Sequence, residues 1–162
     1  MQTEDGNRPR WMIVDDDRDI LSLIHDIVAR FSDVDVECFN SPRDAVTAFE
    51  AKPDAFEFVI TDLEMPDMSG IELCRRLRAL SPSLKILLST GSEMLSDEEA
   101  VQKGFCGLLH KPFPLAALQH ALEPATLNFF KKFPGLNGSL RCGRVDCATK
   151  IHTGKKKKEN KK

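Results

Sequence analysis

The sequence predicts an α/β fold: a doubly wound, five-stranded parallel sheet with helices on both faces. Three observations lead there. Five short apolar runs alternate strictly with five amphipathic stretches, which is the pattern of βα units joined by right-handed crossovers. The run Phe58-Val59-Ile60 is apolar throughout, as in a strand buried on both faces. Polar residues follow directly on four of the five runs, where open α/β sheets gather their ligand-binding groups.

Taken in order, Arg10 to Val14 reads as the first strand and Asp15-Asp16-Asp17 as the acidic loop after it. Ile20, Leu21, Leu23, Ile24, Ile27, Val28 and Phe31 recur at helical spacing and give a helix over 19–31. Val34 to Phe39 alternates apolar and acidic residues and is expected as an edge strand. Ser41 then caps a second helix with Pro42 at its first position. The third strand, around Phe58 to Ile60, ends at Asp62. Met65-Pro66 and Gly70 turn the chain, and Ser69 with Glu72 forms a capping-box pattern for a helix over 70–80. Its buried side is expected to carry Ile71, Leu73, Leu77 and Leu80. Lys85 to Ser89 is the fourth strand, closed by Thr90-Gly91, and Ser96 with Glu99 repeats the capping box before a short helix ending near Gly104. Gly107 to His110 is the fifth strand, followed by Lys111-Pro112. A last helix over 114–122 is expected to bury Leu115, Leu118 and Leu122.

A chain of 162 residues with 41% hydrophobic and 30% charged residues suits one globular domain and a short appendage. We divide it into an N-terminal extension (1–9), the α/β domain (10–123) and a basic tail (124–162) expected to be disordered. The formal charge of -2 hides an asymmetry. Residues 1–124 carry 12 Lys/Arg against 23 Asp/Glu, while residues 125–162 carry 11 against 2. No apolar run approaches the roughly 20 residues of a membrane helix, and the N-terminus lacks a signal-type segment, so no membrane partner and a cytoplasmic location are expected. Five cysteines at irregular spacing read as reduced thiols.

In a parallel sheet of order 2-1-3-4-5, strands one and three are adjacent at the topological switch point, so Asp15, Asp16 and Asp62 converge there. Three neighbouring carboxylates repel one another unless a cation neutralises them, and a hard divalent ion such as Mg²⁺ fits that need. Metal, the Lys111 ammonium and the Thr90 hydroxyl would together suit a phosphoryl group. Asp62, central among them, is then the natural nucleophile. Singly the signals are weak, since acidic residues favour first helical turns in any case. Asp17 and Asp19 are assigned to that capping role.

The order and spacing of Val14–Asp17 (VDDD), Thr61–Gly70 (TDLEMPDMSG), Leu87–Ser92 (LLSTGS) and His110–Phe113 (HKPF) resemble the receiver domains of two-component response regulators, over about residues 10–123. That resemblance implies a flavodoxin-like fold, Asp62 as phosphoacceptor, and Mg²⁺ held by Asp15, Asp16, Asp62 and the Glu64 backbone carbonyl. It also implies Thr90 as the switch hydroxyl, Lys111 as the phosphoryl-binding amine and a cis Lys111-Pro112 bond. The phosphoryl donor would be a histidine kinase or histidine phosphotransfer protein, and the output an unknown downstream protein target. Such a domain is a signalling module rather than an enzyme, although it can catalyse its own phosphorylation and dephosphorylation. Leu108 departs from the pattern, standing where many receivers carry an aromatic second switch residue. Glu64, two residues beyond Asp62, is expected to affect attack by water on the phosphoryl group.

With no output segment after residue 124, the chain reads as a stand-alone regulator or as the receiver of a hybrid sensor histidine kinase, which the stretch from Leu87 to Phe113 resembles. A different class, an aspartyl-nucleophile phosphatase of haloacid dehalogenase type, would need Thr or Val where Asp19 stands after Asp15-Asp16-Asp17-Arg18, and a cap domain. His25 and His120 are expected to face solvent or helix partners, and His110 to be structural. Cys142, Cys147 and His152 match no common zinc spacing. The Lys155 to Lys158 block comes without a recognition helix, so nucleic acid is not expected as a partner.

Overall fold

The computed structural model describes residues 8–122 and 151–152. β1 (Arg10–Val14), β2 (Asp35–Phe39), β3 (Phe56–Asp62), β4 (Lys85–Thr90) and β5 (Gly107–His110) form one sheet in the order β5-β4-β3-β1-β2, every pair parallel. This is the expected 2-1-3-4-5 arrangement. A two-residue β6 (Ile151–His152) lies parallel beside β2, with Cys38 opposite Ile151 and Phe39 opposite His152. The strand expected at the edge is therefore flanked over its last two residues. The rest of the basic tail, the side chain of His152, Cys142 and Cys147 lie outside the described residues.

Helices α1 (Arg18–Phe31), α2 (Pro42–Ala51), α3 (Gly70–Leu80), α4 (Asp97–Gln102) and α5 (115–122) alternate with the strands. Local chemistry sets their starts. Asp17 accepts from the Asp19 N–H at 2.9 Å and the Ile20 N–H at 3.4 Å, and Ser41 accepts from the Asp44 N–H at 3.4 Å. At α4 the capping box is complete: Ser96 Oγ accepts from the Glu99 N–H at 3.2 Å, and Glu99 Oε2 accepts from the Ser96 N–H at 2.8 Å. At α3 only half of it forms. Ser69 Oγ accepts from the Glu72 N–H, but the Glu72 carboxylate is taken by Arg75 and Arg76 at 2.8 to 2.9 Å, because charged guanidinium donors outcompete a neutral amide.

Two apolar layers sandwich the sheet. α2, α3 and α4 cover one face, where Phe49, Leu73, Cys74, Leu77 and Ala100 pack on Met12, Val14, Val59, Ile86 and Leu88. α1 and α5 cover the other, where Leu21, Ile24, Val28, Leu118 and Leu122 pack on Trp11, Ile13, Phe58, Ile60, Leu87 and Leu109. Each fully buried Leu, Ile or Phe contributes roughly 1.5 to 3 kcal/mol of transfer free energy. Helix faces deviate from expectation at four places. Leu23, Phe31, Leu80 and Leu115 are exposed, and on α3 the buried side chains are Leu73, Cys74 and Leu77. His25, expected on a solvent or partner face, is 8% exposed and pairs with Asp26 at 3.4 Å. The sheet selects which arc of each helix it covers, and helical spacing alone leaves about a third of a turn undecided. Cys38, Cys74 and Cys106 are free thiols, and burial pushes the Cys38 pKa up to about 12.

Candidate functional site

All five strands run the same way, so their carboxyl ends form one rim. Pairing continues past the last regular residues. The Asp15 N–H donates to the Phe39 carbonyl at 3.1 Å, the Leu63 N–H to the Ser89 carbonyl at 3.1 Å, and the Lys111 N–H to the Thr90 carbonyl at 2.7 Å. The side chains at the carboxyl ends of β1, β3, β4 and β5 are thereby fixed in register. Strand alternation then assigns each of them a face. Asp15 follows Trp11 and Ile13, Asp62 follows Phe58 and Ile60, and Lys111 follows Leu109, all on the side covered by α1 and α5. Thr90 follows Ile86 and Leu88 on the opposite side.

One oxygen from each of Asp15, Asp16 and Asp62 lies within 4.8 Å of the others. Asp15 is 1% exposed and Asp62 7%, whereas Asp16 faces solvent. Lys111 reaches into this cluster, its Nζ 2.6 Å from Asp15 Oδ2 and 3.3 Å from Asp62 Oδ1. Asp15 Oδ1 accepts from the Asp17 N–H at 2.9 Å, which orients that carboxylate from its other side.

Burial holds the Asp15 carboxyl above its ordinary value, although the Lys111 hydrogen bond and the Asp17 amide oppose the shift. Asp62 is raised for the same first reason, and the Asp15 charge adds to it. For Lys111, burial alone would lower the value, but the Asp15 hydrogen bond and the charges of Asp15 and Asp62 carry it upward. An isolated ion pair would pull its two members apart. Here the carboxylates rise as well, because two of them share one ammonium in a dry place.

This donor set suits a hard divalent ion. All its ligand atoms are carboxylate oxygens, two of the three carboxylates are buried, and the exposed Asp16 leaves one side open to water. The loop beyond Asp62 is tightly drawn around it. The Gly70 N–H donates to the Leu63 carbonyl at 2.9 Å, and a Cβ on Gly70 would stand 2.2 Å from the Asp62 carbonyl oxygen. Only glycine permits that approach. Asp67 adopts φ 70° beside a Met68 N–H to Pro66 carbonyl bond of 2.8 Å, and buried Met68 pins the loop to the core. Glu64 is exposed on this loop.

Of the residues singled out in the sequence, Asp15, Asp16, Asp62 and Lys111 come together. Thr90 reaches the same rim fully buried, with its hydroxyl accepting from the Ser92 N–H at 3.0 Å. The Lys111-Pro112 bond is cis. Leu108 packs partly buried against the layer of α2, α3 and α4. The sequence marks Ser89 only as the end of the fourth strand, not as a site residue. It is registered directly opposite Asp62, it is fully buried, and its Oγ has no hydrogen-bond partner. The available signal was a serine closing the otherwise apolar run Ile86-Leu87-Leu88.

Comparison with known proteins agrees with this arrangement. The family model of the response regulator receiver domain matches residues 11–123. Response regulator MprA of Mycolicibacterium vanbaalenii is 33% identical over 111 residues, covering 67% of this chain and 46% of that protein. Response regulator receiver protein CpdR of Brucella abortus is 30% identical over 117 residues, covering 70% of this chain and 93% of its own length. The chain spans only 22% of another relative, the C4-dicarboxylate transport transcriptional regulatory protein DctD of Rhizobium meliloti. Among solved structures, a CheY-like receiver domain protein from Methanospirillum hungatei superposes with a TM-score of 0.66 at 26% identity, covering 78% of this chain and 99% of that one.

Proposed function

The chain belongs to the response regulator receiver domain family, and from that premise we propose that it accepts a phosphoryl group on Asp62 and changes its affinity for a protein partner in response. An Asp62 carboxylate oxygen forms a bond to phosphorus as the bond from phosphorus to the donor's imidazole nitrogen breaks. The nitrogen lone pair so released takes up a proton from water. The donor is a histidine kinase or a histidine phosphotransfer protein. Lys111 offsets charge on the phosphoryl oxygens from the position its ammonium already holds, 3.3 Å from Asp62 Oδ1. Thr90 exchanges the Ser92 amide for a phosphoryl oxygen, and the loop after it carries the change outward.

Asp15, Asp16, Asp62 and the Glu64 backbone carbonyl would hold Mg²⁺, which when bound would supply positive charge for the transferring group. Asp15 and Asp16 position it, and Asp17 holds Asp15 through its N–H. With Leu108 in place of an aromatic ring, switching runs through Thr90 and the α4 side rather than through a swinging aromatic ring. The site works in the cytoplasm, as a stand-alone regulator or as the receiver of a hybrid sensor kinase, and the partner that reads it is a protein.

The observation carrying this reading is the shared ammonium: one lysine, 96 residues along the chain from Asp15, reaches two buried carboxylates at one point on the rim and leaves them with a net negative charge. Incubation with acetyl phosphate or phosphoramidate and Mg²⁺, followed by intact mass, tests it. One phosphoryl should add to the wild type and none to Asp62→Asn. Release of inorganic phosphate without an adduct would point instead to a phosphatase.

A further inference from the structure

Ser89 is a buried polar side chain near the carboxyl end of β4, set among two leucines and one carboxylate on its face. It pairs with Asp62 on β3 and with Leu109 on β5, and Leu87 precedes it on the same face. Alternation along β3 and β4 puts the Asp62 and Ser89 side chains on the one side, covered by α1 and α5. Of these neighbours, Asp62 alone offers an acceptor. The backbone ties the two residues further, since the Ser89 carbonyl takes the Leu63 N–H. Yet the Ser89 hydroxyl is fully buried and unpartnered. A buried hydroxyl without a bond destabilises a fold, and an alanine would sit on this face without that penalty.

We propose that Ser89 is a positioning residue for Asp62, its hydroxyl turning about one side-chain bond to donate a hydrogen bond to the Asp62 carboxylate when the site is loaded. The inference rests on Asp62 being the phosphoacceptor. Adjacent parallel strands lie about 4.8 Å apart, so registered side chains on one face are within reach of each other after a single rotation. Lys111 approaches the same carboxylate through Oδ1. Two donors from neighbouring strands restrain the plane of the carboxylate, whereas one leaves it free to swing. A restrained nucleophile spends more of its time aligned with the phosphorus it attacks.

The test compares phosphorylation by acetyl phosphate at saturating Mg²⁺ in wild type, Ser89→Ala, Ser89→Thr and Asp62→Asn, with thermal melting of each. Ser89→Ala should lower the maximal rate about threefold to tenfold, the scale of one net hydrogen bond, while the half-saturating acetyl phosphate concentration stays the same. Its melting temperature should match or exceed that of wild type. Ser89→Thr keeps the hydroxyl and should retain most of the rate. Two results overturn the inference: Ser89→Ala reacting at the wild-type rate, or Ser89→Thr no faster than Ser89→Ala at an unchanged melting temperature. If the wild type takes no phosphoryl group, the phosphoacceptor reading fails and this inference fails with it. An adduct on wild type with no change in Ser89→Ala removes this inference alone.

Discussion

Lys111 and Asp15 meet across the width of two intervening strands: one follows β5, the other β1, and Nζ lies 2.6 Å from Oδ2 with β4 and β3 between them. The ammonium passes within 3.3 Å of Asp62 on the way, so it serves two carboxylates and saturates neither.

Removing one of those carboxylates should therefore stabilise the metal-free protein. Asp62→Asn leaves the Lys111–Asp15 pair intact and relieves the repulsion between the two acids. We expect a gain on the order of 1 kcal/mol at pH 7, a rise of a few degrees in Tm. The sign follows from the shifts. Asp15 and Asp62 have native pKa values raised above 3.8, so they bind protons more tightly folded than unfolded. Their contribution to stability falls as pH rises from about the unfolded value through the raised one, and Asp62→Asn should flatten that decline. Lys111 is raised above 10.5, so its contribution is complete below 10.5 and lost as pH climbs through its native value. A Tm for Asp62→Asn at or below wild type would contradict the account.

Mg²⁺ should stabilise the fold by mass action, by about 2.7 kcal/mol at a hundred times its dissociation constant, and so raise Tm. Asp16 is the exposed member of the cluster. Asp16→Ala should leave the metal-free melt in place and shrink the Mg²⁺-induced rise, measured by calorimetry with and without the ion. An equal rise in both proteins would remove Asp16 from the metal's ligands.

Gly70→Ala would set a methyl group 2.2 Å from the Asp62 carbonyl oxygen, and the obstacle is backbone rather than a flexible side chain. The loop must shift. A loss of about 1 to 3 kcal/mol in denaturant unfolding is expected, together with slower phosphorylation, since the displaced segment carries the acceptor.

At α4 the complete capping box holds a helix of only six residues. Ser96→Ala removes the bond to the Glu99 N–H and should cost about 1 kcal/mol, felt locally. Amide hydrogen exchange should speed up over 97–102 and stay unchanged in α1.

Glu64 stands two residues beyond Asp62 on the exposed loop. Replacing it with Asn removes a charge expected to hinder attacking water by repulsion or occlusion, and the half-life of the phosphorylated protein should change. An unaltered dephosphorylation rate would release Glu64 from that role.

Much of this was legible in the sequence because strand ends announce themselves. Apolar runs give way to polar residues at Asp15, Thr61-Asp62, Ser89-Thr90 and His110-Lys111, and once the strands are parallel those four places share a rim by geometry alone. What escaped were relationships between elements. Leu80 and Cys74 both sit on helical arcs that could face the sheet, and only packing chose Cys74. Glu72 followed the spacing of a capping box but met two guanidinium groups within one helical turn. Ser89 looked like the polar end of a strand until the β3–β4 register set it opposite Asp62. The pairing of Ile151 with Cys38 had no periodicity to announce it.

Because neighbours along a strand look to opposite sides, the rim's charged groups stand above the layer of α1 and α5, whereas Thr90 stands above that of α2, α3 and α4. On the proposed phosphorylation of Asp62, chemistry at one point would act on both helical layers at once. A protein resting on one layer and a protein resting on the other would sense the same event through separate levers, and cutting the lever at Thr90 would deafen only one of them.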